Sequence, residues 1–234
     1  MKCVLPFNGA HVIPGPGRCR PQNEPQMGGR PLYVEGVARV SAPALHREWI
    51  DAPAHAALDD AWRARLERAA FEEHASIAAF ARTICQLLAL GAPAWLVAKT
   101  QAALADEIRH ATRTFAWAGG IGPGPLPEAV APLASDDLAA DLARDVFRGG
   151  CIGETLAAHE AADLAETAPI PELRAYYTDI AEDEARHAAL AYETALWLRS
   201  RFPSAKLALD EAVASFRASP DARLAELIDS AFGA

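Results

Sequence analysis

Two five-residue runs concentrate the side chains best suited to chemistry. Asp106-Glu107-Ile108-Arg109-His110 and Asp183-Glu184-Ala185-Arg186-His187 repeat the order D-E-x-R-H, 77 residues apart. Within each run the Glu and the His are three positions apart. On a helix that spacing stacks them on one face, where a carboxylate and an imidazole can share a divalent cation. A single Glu-x-x-His on a helix is more often a solvated surface pair. The reading therefore turns on which way the helices aim these residues and on whether further ligands join them.

Periodicity addresses the direction. From about residue 57 the chain is Ala- and Leu-rich, with apolar residues every three to four positions. The spacing predicts a first helix over about 57–90, stopped by Gly91, and a second from Pro93 to about 117. The stretch GGIGPGPLPEAVAPLA crosses to a third helix, capped by Ser135 and running to about 166. Pro169 and Pro171 precede a fourth helix that ends before Pro203; Ser204 and Ser219-Pro220 open two shorter ones. Glu73 shares an apolar stripe with Ile77, Phe80 and Ile84 and so points inward, while Glu72 is turned about 100° away. Leu104 and Thr114 extend the face of Glu107 and His110. Glu154 lies in line with Phe147, Cys151, Ala158 and Ala161, and Ile180 and Ala191 flank Glu184 and His187. His74 and His159 fall off these faces.

The four long helices thus contribute Glu73, then Glu107 with His110, then Glu154, then Glu184 with His187. Glu73 precedes Glu107 by 34 residues and Glu154 precedes Glu184 by 30, the span of a helical hairpin running down and back. Short hairpins joined by one long crossover, with this ligand order, make the ferritin-like arrangement. The expected fold is all-α: a ferritin-like four-helix bundle over 57–234 with short C-terminal helices, after a non-helical segment over 1–56. Four carboxylates buried alone would each cost several kcal/mol, and two divalent cations would offset that cost. Mixed carboxylate and imidazole ligation suits two iron ions, with manganese or a mixed pair as the alternative.

Glu73 with the first D-E-x-R-H run, and Glu154 with the second, resemble the signature of oxygen-activating di-iron carboxylate enzymes. These are the bacterial multicomponent monooxygenase hydroxylases, the soluble acyl-carrier-protein desaturases and their smaller relatives. The resemblance covers about residues 57–200 and is specific for a metal site, not for a substrate. It implies the same six ligands. It also implies that Asp106 accepts from the non-ligating nitrogen of His187 and Asp183 from that of His110, with Arg109 and Arg186 holding the aspartates. Surface pairing among these four is the plainer alternative. The chain has Ala158 where several of those monooxygenases carry a Thr one turn after the third-helix Glu. In length it is similar to compact members such as tRNA-modifying hydroxylases and aldehyde-deformylating oxygenases.

The activity so implied is an O2-dependent oxidase or oxygenase, a monooxygenase included, acting on a small-molecule or carrier-bound substrate. Electrons would come from a separate ferredoxin or reductase, since the chain has no flavin or nucleotide motif. Ferroxidase or iron-storage activity, peroxide removal of the rubrerythrin or manganese-catalase kind, and a metal-stabilised bundle without catalysis stand as alternatives.

Composition excludes more than it selects. The chain has 234 residues, 51% hydrophobic and 23% charged, with a net charge of −9. It shows no basic stripe for a general nucleic-acid surface, no apolar run near the ~20 residues that span a bilayer, and no secretory apolar region. A cytoplasmic protein is expected, with a homodimer among its assemblies. Cys3, Cys19, Cys85 and Cys151 form no C-x-x-C pair, which argues against a zinc ribbon or a rubredoxin-type site. A Cys3–Cys19 disulfide would require an oxidising compartment. Residues 1–56 hold eight of the 17 Pro and six of the 15 Gly. They read as extended chain covering one end of the bundle, with a short hairpin about Glu35-Gly36. Around Glu154, the glycines 149, 150 and 153 predict a π-bulge. Ala157, Ala158 and Ala161 leave room for a substrate cavity, and Cys151 either lines it or fills core.

Overall fold

A computed structural model describes residues 30–34, 36–50, 58–119, 122–129, 133 and 135–233 as a helical bundle with a few short strands. The RPLYVEGVARV stretch folds as the expected hairpin. β1 (Leu32–Val34) pairs antiparallel with β2 (Val37–Arg39), with Val34 opposite Val37 and Gly36 in the left-handed region at φ 76°. β3 (Pro43–Ala44) follows. The expected course of residues 1–29, the Cys3–Cys19 pair and the first residue of the predicted 57–90 helix lie outside the described residues.

Helix ends fall where capping chemistry puts them. α1 (Asp60–Ala89) starts as the Asp59 carboxylate accepts from Trp62 N at 2.9 Å. Gly91, at φ 71°, turns the chain back into α2 (Ala94–Ala118). The crossing that follows contains β4 (Gly122–Pro123), which pairs with β3. α3 (Leu138–Asp145), a π-helical turn over Val146–Glu154 and α4 (Thr155–Thr167) run on as one rod. α5 (Pro171–Arg201) carries Pro171 in its first turn, and α6 (Pro203–Ala218) and α7 (Ala225–Phe232) complete the chain.

Three expected starts need correction. Asp137, not Ser135, caps α3 by accepting from Ala140 N; the Ser135 hydroxyl accepts from Asp137 N one step earlier. Ser204 caps nothing and instead donates to Asp137 Oδ1 at 3.0 Å, tying α6 to α3. Ser219-Pro220 does not open α7, because Asp221 first closes a turn with Arg223 N and with Leu224 N.

α1 lies along α2, and α5 lies along α4 and the π turn; α2 also meets α5, and α3 meets α6. Two apolar clusters occupy different levels of the bundle. One gathers Phe80, Leu87, Leu96, Val146, Leu198 and Leu209. The other gathers Leu58, Leu66, Trp117, Leu173, Tyr177 and Ile180. No helix among the described residues is long and apolar enough to cross a membrane.

Candidate metal centre

All six expected ligands converge inside the bundle, and none is more than 4% exposed. Their donor atoms fall into two sets, each set within 4.8 Å of itself. One set is Glu73, Glu107, His110 and Glu184; the other is Glu107, Glu154, Glu184 and His187. Glu107 and Glu184 belong to both, as carboxylates shared between two neighbouring cations would. α1 supplies Glu73, α2 supplies Glu107 and His110, the last residue of the π turn is Glu154, and α5 supplies Glu184 and His187.

Among the described residues, the inward-facing atoms are left without partners. His110 Nδ1 lies 3.4 Å from Glu184 Oε1 and 3.6 Å from Glu73 Oε2. His187 Nδ1 lies 3.0 Å from Glu107 Oε1 and 3.7 Å from Glu184 Oε2. Yet both Nδ1 atoms, Glu73 Oε2, and both oxygens of Glu107, Glu154 and Glu184 are buried with no partner in hydrogen-bond geometry among the described residues. Buried polar atoms are almost always satisfied, and each failure costs about 1–3 kcal/mol. Such a concentration of unsatisfied donors and acceptors, all aimed at one another, is the form a cation site takes.

The outward nitrogens are braced, and the braces cross between helices. His110 Nε2, on α2, pairs with Asp183 Oδ2 of α5 at 2.9 Å. His187 Nε2, on α5, pairs with Asp106 Oδ2 of α2 at 3.2 Å. Arg109 reaches Asp106 at 2.5 Å and Asp183 at 3.1 Å. Arg186 bonds Asp183 and approaches Asp106 to 3.6 Å. These four residues therefore connect the two runs rather than forming separate surface pairs. With Nε2 held by a carboxylate, each ring turns Nδ1 toward the glutamates, the orientation and basicity a metal ligand needs.

Charge follows from burial and these partners. Burial, then Glu184, raises the Glu107 carboxyl to about 8. Burial, Glu184 and Glu107 raise Glu154 well above its ordinary range. Burial opposes charge on both imidazoles, but Asp183 and Glu184 raise His110, and Asp106 and Glu107 raise His187. Burial likewise opposes a charged Glu184, and His110 and His187 outweigh it and pull its pKa down. Asp106 is held at about 2, its burial outweighed by His187 and Arg109. These shifts favour the protonated forms of two imidazoles and two carboxyls, which lessens the negative charge held in the site.

Two small cavities touch the carboxylates. One, of about 20 Å³, lies beside Ala157 and Ala161 as expected, between Glu73, Glu184, Tyr176 and Tyr177. The other, of about 10 Å³, lies between Arg30, Phe80, Glu154 and His187. Each has room for roughly one water-sized group. Ala158 lines neither, and Cys151 is a fully buried member of an apolar cluster rather than a cavity residue. His159 is exposed, and half-buried His74 stands edge-on to Trp49 with Nδ1 3.4 Å from Ser41 Oγ. Both are away from the centre.

The sequence reading missed three neighbours. Tyr176 donates to the Thr114 hydroxyl, which itself donates to the His110 carbonyl. Tyr177 and Ile180 precede Glu184 by seven and four positions, so the α5 stripe could have been followed one turn further. Arg30 carries no periodic signal. The expected π turn is present, and two of its glycines are required by what they face. A Cβ on Gly150 would lie 2.4 Å from Ala191 Cβ of α5, and one on Gly149 would lie 2.7 Å from Arg30 Cγ. In comparisons with protein-family models, curated proteins and solved structures, the chain has no significant match.

Proposed function

We propose that the protein is a ferritin-like, non-haem di-iron oxidoreductase that uses O2 to oxidise an organic substrate. The observation that carries this reading is the pair of overlapping donor sets, four carboxylates and two braced imidazoles, whose buried inward atoms lack partners among the described residues. Glu73 and His110 would hold one ion, Glu154 and His187 the other, and Glu107 and Glu184 both. Oxygen and nitrogen donors of this kind suit iron, with manganese as the alternative. Bound as two ferrous ions, the metals would supply the electrons that O2 takes up. The residues' own part is to orient the imidazoles through Asp106 and Asp183 and to exclude water through the apolar layers around Phe80 and Tyr177. An external ferredoxin or reductase would restore the ferrous state.

The cavities favour a second reading. The spaces of about 20 and 10 Å³ beside the glutamates each hold roughly one water-sized group, and not an organic molecule, unless a side chain moves; a cavity of about 250 Å³ borders His187 on the side of Asp106 and Arg186. Iron oxidation, or peroxide removal of the rubrerythrin or manganese-catalase kind, needs no organic molecule beside the glutamates. Rapid mixing of the Fe(II)-loaded protein with O2 and, separately, with H2O2 distinguishes peroxide removal from the O2-dependent activities. The oxygenase reading expects fast oxidation of the metals by O2. Fast turnover of H2O2 with no reaction toward O2 would replace it by the peroxide reading.

A further inference from the structure

Arg30 reaches the centre from outside the helices. It precedes β1, whose Leu32 is buried, and is itself only 7% exposed. Its guanidinium carbon lies 5.7 Å from the centroid of the Phe80 ring. Its stem crosses the π turn so closely that only a glycine fits at 149. With Glu154, His187 and Phe80 it encloses the 10 Å³ cavity. Burial opposes its charge while Glu154 and then Asp145 favour it, and a guanidinium stays protonated in proteins.

Charge balance gives this placement a consequence. Two divalent ions would neutralise the four glutamates. Asp106 and Asp183 are answered by Arg109 and Arg186, and Asp145 is shared between Arg30, which acts on it more strongly, and Arg148. Arg30 forms no ion pair among the described residues, so part of its charge is left over on the Glu154 side of the filled centre. In a buried setting such a charge acts strongly on its neighbours.

We infer that Arg30 gives the filled centre an anion-accepting side, where a water-sized monoanion binds in the cavity bounded by Arg30, Glu154 and His187. Hydroxide is the natural occupant of that chemistry in water, and fluoride is its probe. This rests on the two-metal reading above. It also assigns the N-terminal segment to the centre, since that segment delivers the charge.

The test uses cobalt(II), whose visible absorption reports ligand changes without any redox step. The wild type, Arg30→Gln, Arg30→Lys and Gly149→Ala are loaded with Co(II), metal per chain is counted, and each is titrated with fluoride. Arg30→Gln should bind fluoride at least about tenfold more weakly, while Arg30→Lys stays within about threefold of the wild type. Gly149→Ala, which displaces the arginine without removing it, should weaken fluoride binding as well, and it serves if Arg30→Gln does not fold. Two cobalt ions per chain with equal fluoride affinity in the wild type and in the variants that fold would overturn the role of Arg30 alone. Fewer than two cobalt ions in the wild type would overturn the metal reading, and this inference with it.

Discussion

Asp106 and Asp183 each brace an imidazole that belongs to the other helix. The charge of each aspartate sets the basicity of that ring, and its geometry fixes the ring plane. Asp183→Asn keeps an acceptor oxygen beside His110 Nε2 but removes the charge and the strong pairing with Arg186. Loss of such support typically costs about 10–100-fold in metal affinity. Competition titration with a chelator should show a loss of that size, with two ions still bound at saturation. Unchanged affinity would reduce the aspartates to surface decoration. The convergence of the six residues was legible because helical period alone decides which face a residue takes, and each had apolar neighbours at the right spacing. The crossing of the braces was legible only through resemblance, since nothing local to Asp106 points to His187. Arg30 was not legible at all. It precedes a short strand, and its burial depends on a glycine far along the chain.

At the scale of elements, the rod containing Glu154 is the one that departs from regular helix. The π turn ends at Glu154 and carries two glycines against neighbours that leave no space for a methyl group. Gly150→Ala would drive a Cβ into Ala191 of α5, the helix that holds Glu184 and His187. Overpacking of this kind costs about 1–3 kcal/mol. The expected outcome is a lower melting temperature together with weaker metal binding, because the same displacement separates Glu154 from Glu184. Normal melting and normal binding would mean that α5 moves freely past the π turn. The long helices were readable from Gly91, Pro93, Pro171 and Pro203, residues whose backbone restrictions act on the spot. The starts of α3 and α7 were misread because side-chain turns at Ser135 and Asp221 precede those helices, and a cap residue does not announce which of two adjacent turns it closes.

The stability of the metal-free protein and the stabilisation that metal adds should change with pH in opposite senses. Glu107, raised to about 8, and Glu154, His110 and His187, all raised, bind protons more tightly when folded. Their stabilising effect is complete below the ordinary carboxylate and imidazole values and is lost as pH climbs through the folded ones. Asp106, held at about 2, and the lowered Asp183 and Glu184 act the other way, with stability that disappears in acid. The metal-free protein should therefore melt at a lower temperature as pH rises from about 6 to 9. Metal binding displaces those protons, so the melting shift on adding Fe(II) or Co(II) should grow over the same range. Each proton displaced is worth about 1.4 kcal/mol per pH unit, or roughly 3–6 °C in a chain of this size. A metal-induced shift that stays flat from pH 6 to 9 would mean that the cations bind elsewhere.

The central claim is two cations held by these six residues, and metal counting tests it most directly. The protein, loaded anaerobically with Fe(II) and freed of loose metal, should retain two ions per chain. Glu184→Ala, which removes a carboxylate common to both donor sets, should retain no more than one. A wild type that retains none, or a Glu184→Ala chain that still holds two, would contradict the account.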